Sequence, residues 1–382
     1  MTNIKLGDLC KSCAGQIKVE DGELIDYIDI SSIDNEKKKL IGFQTMPFGE
    51  SPSRARKVVK KGSILVSTVR PNLNAIAVLE NDTPNISVAS TGFCILDCKD
   101  DVDNRFVFNF CKSRKFIDDM VSKATGASYP AVSDKIIRSA LVPNYTYEEQ
   151  CNISKVLDSI SDIIDKREAE LFSLDELIKA RFVEMFGDVK HEEKYKGIPL
   201  RELCITMSGG TPPTKNIEYY EGNIPWITTV SLGPNHIDGS TAKGYITQDA
   251  IKNSATKLIP AGNILFGTRV GVGKSSINDV DICTNQDIIA IIGIDENRFN
   301  RVFIKHVLDD YQPYYDSLKK GATILGITSD DLEDTLIPDV PIDVQMEYVA
   351  FVDQVDKSKV AVQKALDETQ LLFDSLMQKY FG

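Results

Sequence analysis

The sequence lacks any uninterrupted apolar run of the roughly 18 residues that a membrane-spanning helix needs. Its opening residues, MTNIKLGDLC, also lack the apolar stretch of a secretory signal peptide. The composition, with 42% hydrophobic and 26% charged residues in a chain of 382, is that of an ordinary globular protein. We therefore expect a cytoplasmic protein of two or three domains with no membrane partner.

Histidine is scarce, and this limits the chemistry that the chain can perform. The three histidines, His191, His236 and His306, share no metal-ligand spacing with one another or with the cysteines. The Asp/Asn-Pro-Pro-aromatic motif of amino-methyltransferases is absent, because the nearest match, TPPT at 211–214, has the wrong flanking residues. These absences argue against methyltransferase chemistry in this chain, and we expect no metal and no cofactor.

The net charge is −12, which argues against a general affinity for a polyanion such as DNA. The charge is unevenly distributed, since only residues 1–145 carry a slight excess of Lys and Arg over Asp and Glu. Any nucleic-acid site must therefore be a local patch and not the whole surface.

The most informative feature of the sequence is an internal repeat with a period of about 195 residues. The corresponding segments are IKLGDLC and IPLRELC (4–10 and 198–204), KKGSILVSTVR and PAGNILFGTR (60–70 and 260–269), and, without a gap, 126–150 and 321–345. The second half of the chain therefore has the same plan as the first half.

Each copy divides into a mixed part and a helical part. Short β-like runs separated by Gly, Pro, Asn and Asp, and followed by a helical stretch, predict an α+β domain in each copy. The predicted strands are 64–69, 75–79, 92–96, 263–268 and 287–292, and the predicted helical stretches are 105–122 and 301–318. One long helix without Gly or Pro then follows in each copy. The predicted division is 1–145 and 191–340 for the two α/β domains, and 146–190 and 341–382 for the two long helices.

Core positions on both long helices alternate in steps of three and four, which is the pattern of a coiled-coil seam. The seam candidates are Leu157, Ile160, Ile164, Leu171, Leu174 and Ile178 on the first helix, and Val352, Val355, Val362, Leu366, Phe373 and Leu376 on the second. We expect the helices to pair as an antiparallel coiled coil, which would relate the two α/β domains by a pseudo-two-fold axis. The alternative is that each helix packs only on its own domain.

Two similar but non-identical domains on a rigid rod fit the symmetry of duplex DNA. The spacing of half-sites is a geometric property of the protein that reads them. Duplicated surfaces along the rod would also suit two copies of one partner.

The order of the domains and the local motifs resemble the specificity subunit of type I restriction–modification systems over essentially the whole chain. The motifs are KKGSILVSTVR, PAGNILFGTR, SVASTGF, CTNQDI, GASYPAVSDKIIRSALVP, EEQCNISKVLDSISDIIDKREAEL and LIKARFVEMFGD. The resemblance implies that each α/β domain is a target-recognition domain that reads one half of a bipartite DNA site, and that the helices set the gap. It implies double-stranded DNA and two methyltransferase subunits as partners, leaves endonuclease or translocase subunits open, and implies no catalysis by this chain.

The cysteines give one competing indication. Cys10 and Cys13 form a C-x-x-C motif, and with Cys94 and Cys98 they would in principle hold zinc. The second copy keeps only Cys204, the counterpart of Cys10. We therefore favour reduced thiols without a metal.

Base reading requires Arg, Lys, Asn or Gln side chains on exposed loops, together with contacts to phosphate. The candidates in the first domain are Arg54, Arg56, Lys57, Arg70, Asn72, Asn74, Ser128 and Tyr129. The candidates in the second domain are Gly210, Thr211, Lys215, Trp226, Thr228, Arg269, Lys274 and Thr323. Arg70 and Arg269 are the strongest, because both copies place an arginine at the end of the same strand.

Some of these candidates have a plain structural alternative. Trp226 follows a proline and is more typical of a core residue than of a contact residue. The basic run at 54–61 fits a solvated face equally well, and Tyr129 fits a turn before Pro130.

The stretch FGTRVGVGKSS at 266–276 raises a nucleotide-binding alternative, because it contains Gly-Lys-Ser. In a phosphate-binding loop the first glycine would stand at Thr268, and the loop would open a helix. The residues that follow instead predict a turn and a strand. Two alternatives to DNA recognition remain: a nucleotide-binding enzyme that uses the 271–276 loop, and a coiled-coil scaffold that binds only proteins.

Overall fold

The computed structural model describes the chain in two units, each with its own hydrophobic core. The first unit consists of Met1–Glu170 together with Val362–Gly382, and the second is Leu171–Ala361. The described residues are 2–12, 22–126, 128–187, 194–320 and 325–382. Within these ranges, no helix is both long enough and apolar enough to cross a membrane.

The first unit contains two small sheets and two strand pairs. Its strands are β1 (Asn3–Lys5), β2 (Leu24–Ile28), β3 (Ile33–Asp34), β4 (Lys39–Leu40), β5 (Gln44–Pro47), β6 (Ala55–Val58), β7 (Ile64–Ser67), β8 (Ile76–Val78), β9 (Ile86–Ser90), β10 (Phe93–Leu96) and β11 (Leu141–Pro143). One sheet has the order β5-β2-β9-β6, with β2 and β9 parallel, and the other has the order β10-β7-β8. The pairs are β1-β11 and β3-β4.

Strand β7 shows how this core is organised. All of its residues are buried, because successive side chains point to opposite faces and both faces are covered. Ile64 and Val66 pack into one cluster with Phe106, and Leu65 packs into another with Ala77. A strand that is covered on both sides reads as a continuous apolar run, which is why the sequence pattern located it.

The helices of the first unit include a break that the sequence pattern missed. They are α1 (Leu6–Leu9), α2 (Asn104–Lys112), α3 (Arg114–Lys123), α4 (Asp134–Arg138) and the beginning of a long helix, α5 (Tyr147–Phe186). The helical stretch predicted at 105–122 is divided at Ser113, whose extended backbone ends α2. The Ser113 side chain then accepts a hydrogen bond from the backbone N–H of Phe116, which caps the start of α3.

The second unit repeats this plan with a larger sheet. Its strands are β12 (Gly197–Pro199), β13 (Ile205–Ser208), β14 (Ile224–Ile227), β15 (His236–Ile237), β16 (Gly244–Ile246), β17 (Leu258–Ile259), β18 (Ile264–Gly267), β19 (Ser275–Asn278), β20 (Ile282–Thr284), β21 (Ile288–Ile292) and β22 (Leu336–Pro338). The sheets have the orders β13-β21-β18-β19-β15 and β16-β14-β20-β17, and β12 pairs with β22.

The helices of the second unit are α6 (Gln248–Lys252), α7 (Arg301–Asp310), α8 (Gln312–Leu318), α9 (Ser329–Glu333) and a second long helix, α10 (Ile342–Phe381). Helices α7, α8, α9 and α10 follow the same order as α2, α3, α4 and α5 of the first unit, and α6 has no α-helical counterpart in the described part of the first unit. The stretch predicted at 301–318 is divided at Tyr311, where Pro313 in the first turn of α8 suits a new helix start.

The two copies of the sequence repeat fold alike. In the first unit Ile4 of β1 pairs with Val142 of β11, and in the second unit Ile198 pairs with Ile337. Strand β18 matches β7, since Ile264 and Phe266 enter one cluster and Leu265 enters another. The repeat in the sequence is therefore a repeat of structure.

The two long helices, each of 40 residues, pair in antiparallel fashion within each unit. In the first unit the Arg167 guanidinium donates to the carbonyl of Ala365 and to the hydroxyl of Thr369. In the second unit Lys359 Nζ donates to Asp175 Oδ1 at 2.6 Å, and Arg181 Nη2 donates to Glu347 Oε1 at 3.0 Å. Higher residue numbers on α5 thus contact lower residue numbers on α10, which shows that the two helices run antiparallel. The fold is α+β, with two similar α/β units and an antiparallel coiled coil, as the sequence predicted.

The helices also pack on the domain cores, so both packing modes considered above coexist. Leu157, Ile178, Val352 and Val355 are buried in these cores. The other seam candidates are half-buried: Ile160, Ile164, Leu171, Leu174, Val362, Leu366, Phe373 and Leu376. The domain boundaries at 145, 190 and 340 remain predictions, because the two units divide both helices between them.

Candidate nucleic-acid interface

An exposed arginine stands at the end of β7, on a turn that we call the first arginine turn (68–74). The Arg70 backbone N–H donates to the carbonyl of Pro130 at 2.7 Å, and the N–H of Leu73 donates back to the carbonyl of Arg70 at 2.9 Å. The Arg70 guanidinium carbon lies 4.9 Å from the centre of the Tyr129 ring, a cation–π contact. Tyr129 is 67% exposed, so the pair lies at the surface.

Backbone hydrogen bonds bring a further basic residue to the same edge. The N–H of Thr68 donates to the carbonyl of Gly92 at 2.8 Å, and the N–H of Thr91 donates to the carbonyl of Arg54 at 2.8 Å. Arg54 is exposed, and its ion pair with Asp29 is long at 3.7 Å. The first unit therefore groups Arg54, Arg70 and Tyr129, with Ser128 and Asn72 exposed beside them.

Three other candidates of the first unit are engaged within the protein. The buried side-chain amide of Asn74 donates to the carbonyl of Cys111 at 3.2 Å. Lys57 Nζ donates to the carbonyl of Phe93 at 2.6 Å and to Asp134 Oδ2 at 2.7 Å. The half-buried Arg56 lies 5.7 Å from the Phe48 ring. The burial of Asn74 corrects its prediction as a base-reading residue. DNA contact by the half-buried Lys57 and Arg56 stays a prediction.

The second arginine turn (268–274) follows β18 at the equivalent position. The N–H of Thr268 donates to the carbonyl of Asp287 at 2.8 Å. The exposed Arg269 guanidinium lies 3.5 Å from Asp287 Oδ1, and Asn285 donates to Asp287 Oδ2 at 3.0 Å. The hydroxyl of Thr211 donates to Gln286 Oε1 at 2.6 Å. The turn 285–287 thus joins Thr211 and Arg269 in one exposed group.

The two arginine turns begin in the same way, and Arg70 stands two positions after Thr68 whereas Arg269 stands one position after Thr268. In the first unit the N–H of Val132 donates to the carbonyl of Thr68 at 2.8 Å, and in the second the N–H of Ile327 donates to the carbonyl of Thr268 at 2.9 Å. They differ in charge, since Arg269 faces the carboxylate of Asp287, whereas Arg70 faces an aromatic ring. Asn285, Gln286 and Asp287 were not among the predicted site residues, although their motif, CTNQDI, was recognisable.

Two candidates of the second unit belong to its core. Trp226 is 7% exposed, and its indole N–H donates to the carbonyl of Gly210 at 3.1 Å. Gly210 is itself buried, and a Cβ there would lie 2.5 Å from the carbonyl carbon of Ala255. The core alternative for Trp226 is the one that the structure supports, and we remove Trp226 and Gly210 from the interface. Thr228 is half-buried beside this group.

The remaining candidates of the second unit are Lys215, Lys274 and Thr323. Lys215 is exposed on the loop that follows Thr211. Lys274 lines a cavity of about 710 Å³ together with Lys305, His306 and Gln312. Burial, aided by the charge of Lys305, lowers the pKa of His306 to about 4. Thr323 lies outside the described residues.

The Gly-Lys-Ser stretch does not form a phosphate-binding loop. Ser275 begins β19, which pairs with β18, and a phosphate-binding loop would open a helix at this point. Gly271 and Gly273 have φ values of 71° and 84°, so they serve the hairpin turn. The side chain of Gln312 fills the space beside Gly273.

A zinc site finds no support in the part of the chain that the structure describes. No group of three or more His, Cys, Asp or Glu side chains in that part could hold a metal ion. Cys10 and Cys98 face each other across an antiparallel bridge, and both thiols are free. Cys13 lies outside the described residues.

Comparison with known proteins finds similarity to specificity subunits of type I restriction enzymes. Residues 192–369 match the family described as the type I restriction modification DNA specificity domain. The chain is 29% identical over 221 residues to the Escherichia coli type I restriction enzyme EcoR124I/EcoR124II specificity subunit, with 56% of this chain and 53% of that protein covered. The matched region thus spans about half the length of this relative.

A longer match and a solved structure extend this likeness. The type I restriction enzyme HindI specificity subunit of Haemophilus influenzae is 23% identical over 395 residues, with 83% of this chain and 84% of that protein covered. One similar solved structure is a chain from a structural study of complex assembly and conformational transition of the type I R-M system. Its TM-score is 0.62 at 23% sequence identity, and the match covers 99% of this chain and 97% of that chain. At this identity the structural likeness shows a shared fold.

Proposed function

Because the chain belongs to the family of type I restriction–modification specificity subunits, we propose that it recognises the DNA sequence on which a complex of this type acts. One observation supports this most directly. Each unit presents an exposed arginine, Arg70 or Arg269, at the end of the same strand and beside an equivalent turn. Arginine is the side chain that most often reads a base directly in the major groove.

In this proposal the two units read the two halves of a bipartite DNA site. The units share a fold, so they would approach their half-sites in the same way. They differ in the residues around the arginine, so they would prefer different bases. Tyr129 stands beside Arg70, whereas Asp287 stands beside Arg269. A duplicated reader of this kind produces a recognition site with two unlike halves and a fixed gap.

The long helices would set that gap and carry the partner subunits. A helix of 40 residues is about 60 Å long at roughly 1.5 Å per residue. Leu177 on α5 and Leu372 on α10 are equivalent in the repeat, and they are 47% and 51% exposed. Exposed leucines at equivalent positions suit two copies of one partner. We propose that these partners are two methyltransferase subunits, and that an endonuclease or translocase subunit joins them in a complete complex.

The chain itself would catalyse nothing, since the proposed interface offers arginine, hydroxyl and aromatic groups without a nucleophile–base pair. The nucleotide-binding alternative is less well supported, because β19 takes the place of the helix that a phosphate-binding loop requires. A scaffold that binds only proteins would leave the duplicated arginine turns without a role.

The test is methylome sequencing of cells with and without this protein, with the partner methyltransferase expressed in both. We expect one bipartite methylation motif that disappears when the protein is deleted. Exchange of 191–340 for the corresponding segment of another family member should change one half-site and leave the other intact. Persistence of every motif after deletion would contradict the proposed function.

A further inference from the structure

The first arginine turn has an unusual backbone. Arg70 and Asn74 have φ values of 49° and 46°, and Lys38, which contacts this turn, has a φ of 54°. Residues with a Cβ adopt this left-handed conformation uncommonly, because it brings the Cβ close to the backbone. Such conformations persist only where surrounding contacts hold them, and they are concentrated at functional sites.

Lys38 supplies the contact that holds the end of this turn. Its ammonium donates to the carbonyl of Leu73 at 3.2 Å and to the carbonyl of Asn74 at 2.9 Å. The Asn74 amide donates to the carbonyl of Cys111 and anchors the same point from inside the unit. Lys38 is half-buried, and burial lowers its pKa. Because the Lys38 ammonium already donates to two carbonyls of the turn, it stabilises the turn and is poorly placed to contact a DNA phosphate.

The beginning of the turn is held from the other side. The Arg70 N–H is bonded to Pro130, and the Arg70 guanidinium lies over the ring of Tyr129. Stacking fixes the plane of the guanidinium and leaves its edge free to donate hydrogen bonds. Arg70 forms no ion pair with any residue that the structure describes, in contrast to Arg269 beside Asp287.

We propose that Lys38 is a positioning residue for DNA recognition by the first unit, and that Arg70, stacked on Tyr129, reads a guanine of the half-site which that unit recognises. This inference rests on the function proposed above. Guanine presents two acceptors, O6 and N7, in the major groove, and a guanidinium with a fixed plane matches them with two parallel N–H groups. The lysine holds the turn, the turn and the tyrosine fix the arginine, and the arginine selects the base.

Of the two neighbours of Lys38, Lys37 provides the matched control. Lys39 Nζ binds Asp165 Oδ2 at 2.5 Å on α5, and both side chains are largely exposed. Lys37 is exposed, and no contact of its side chain reaches the turn. Lys38→Met and Lys37→Met therefore remove the same charge from the same segment, but only the first removes the support of the turn.

The experiment uses the full chain with its methyltransferase partner, and reads the methylation motif together with competition binding between specific and non-specific duplexes. We expect Lys38→Met and Arg70→Lys to relax one G·C position of one half-site and to lower discrimination by about tenfold. Lys37→Met should weaken specific and non-specific binding alike, as loss of a phosphate-attracting charge does. Lys38→Arg should retain most of the discrimination.

The half-site read by the first unit is the one that survives exchange of 191–340. If that half-site contains no G·C pair, or if Lys38→Met retains wild-type discrimination, the inference is wrong. Should Lys38→Met fail to fold, Tyr129→Leu decides the question, because this exposed side chain can be replaced without disturbing the core and its loss should relax the same position. If the wild-type complex produces no bipartite motif, the proposed function fails instead.

Discussion

Arg105 and Asp158 form a two-point ion pair within the first unit. The Arg105 Nε donates to Asp158 Oδ2 at 2.9 Å, and Nη2 donates to Oδ1 at 3.1 Å. Their side chains are 32% and 29% exposed, and Asn109 donates to the same carboxylate at 3.3 Å. The pair joins α2 to the first long helix, so it connects the first α/β domain to the coiled coil.

We expect Asp158→Asn to lower the free energy of unfolding of the first unit by about 1–3 kcal/mol, because it breaks a partly buried bidentate pair and leaves Arg105 with only the exposed Glu80 as a counter-charge. Urea unfolding, followed by a probe in this unit, measures the effect. The matched control is Asp118→Asn, which breaks the exposed pair with Arg114 and should cost less than about 0.5 kcal/mol. Equal costs for the two variants would contradict this account.

Lys112 should give the first unit an unusual dependence on pH. Its ammonium lies over the rings of Phe108 and Phe373, at 5.1 Å and 5.3 Å, and its hydrogen bond to Asn109 is long at 3.5 Å. Burial, aided by the charge of Arg105, lowers its pKa from 10.5 to about 8. Between these values the unfolded chain holds the proton and the folded chain does not, so stability rises with pH across this window.

Lys112→Met keeps the apolar stem and removes the charge, so we expect it to be more stable than the wild type at pH 7 by about 2 kcal/mol. The advantage should shrink as the pH rises from 8 toward 10.5, because the wild-type lysine then loses its proton in the folded state. Other groups titrate in both proteins, so the difference between their unfolding midpoints isolates Lys112. A constant difference over this range would show that burial of the charge is not the cause.

His306 should act in the same direction as Lys112, but at lower pH. Its Nε2 is closed to solvent and finds no partner in the described ranges, and the groups around it include Lys305, Asp309, Tyr348 and Lys359. Because the pKa falls from 6.5 to about 4, the unfolded chain binds a proton between these values and the folded chain does not. Stability should therefore fall as the pH is lowered through this window, by about 3 kcal/mol in total.

His306→Leu removes this proton linkage, so the stability of the second unit should depend less steeply on pH between 6.5 and 4. Thermal unfolding of both proteins at pH 7 and at pH 5 tests this. Carboxylates titrate in both proteins and cancel in the comparison. Parallel curves for wild type and variant would mean that the His306 imidazole protonates freely in the folded protein.

The general plan of the molecule could be predicted from the sequence because it depends on periodic and repeated features. The repeat indicated two similar domains, and the three-four alternation indicated the helix pair. The arginines were found because the repeat places Arg70 and Arg269 at the end of the same strand. Each of these signals is local or is duplicated, so one sequence is enough to reveal it.

What the sequence did not reveal depends on contacts between distant residues. The apolar spacing continues through Ser113, so the sequence pattern favours one helix. Only the hydrogen bond from the Phe116 N–H to the Ser113 side chain shows that a second helix begins there. Asn74 resembles a base-reading residue until the fold turns its amide toward Cys111. Lys38 is 36 residues from Asn74 in the chain, and no pattern links them. The environment of a side chain on an irregular turn is set by tertiary structure, which propensities do not describe.

A variant of the single tryptophan, Trp226, distinguishes a core role of this residue from a DNA-contacting role. We expect Trp226→Phe to lower the stability of the second unit by about 1–2 kcal/mol, because Phe fills less space and cannot donate to the Gly210 carbonyl. The methylation motif should stay unchanged, since the ring is buried. Thr211→Val is the comparison, because it removes an exposed hydroxyl that donates to Gln286 and should affect the second half-site with little loss of stability. A changed motif in Trp226→Phe would return Trp226 to the interface.

Variants of Leu177 and Leu372 test the proposal that two methyltransferase subunits bind. Their side chains are exposed at equivalent positions of the repeat, and burial of such a leucine against a partner contributes roughly 1.5–3 kcal/mol. We expect Leu177→Lys to remove one of two bound methyltransferase subunits, Leu372→Lys to remove the other, and the double variant to remove both. Light scattering of the purified complex measures the mass of each species.

Lys179→Glu and Asp374→Lys are suitable controls, because they change charge on exposed positions of the same helices without exposing or covering apolar surface. If they reduce the bound mass as much as the leucine variants do, general electrostatics govern assembly. If both leucine variants retain two subunits, docking does not use this surface. A loss of both subunits in either single variant would show that the two partners bind only together, because independent sites would each lose one.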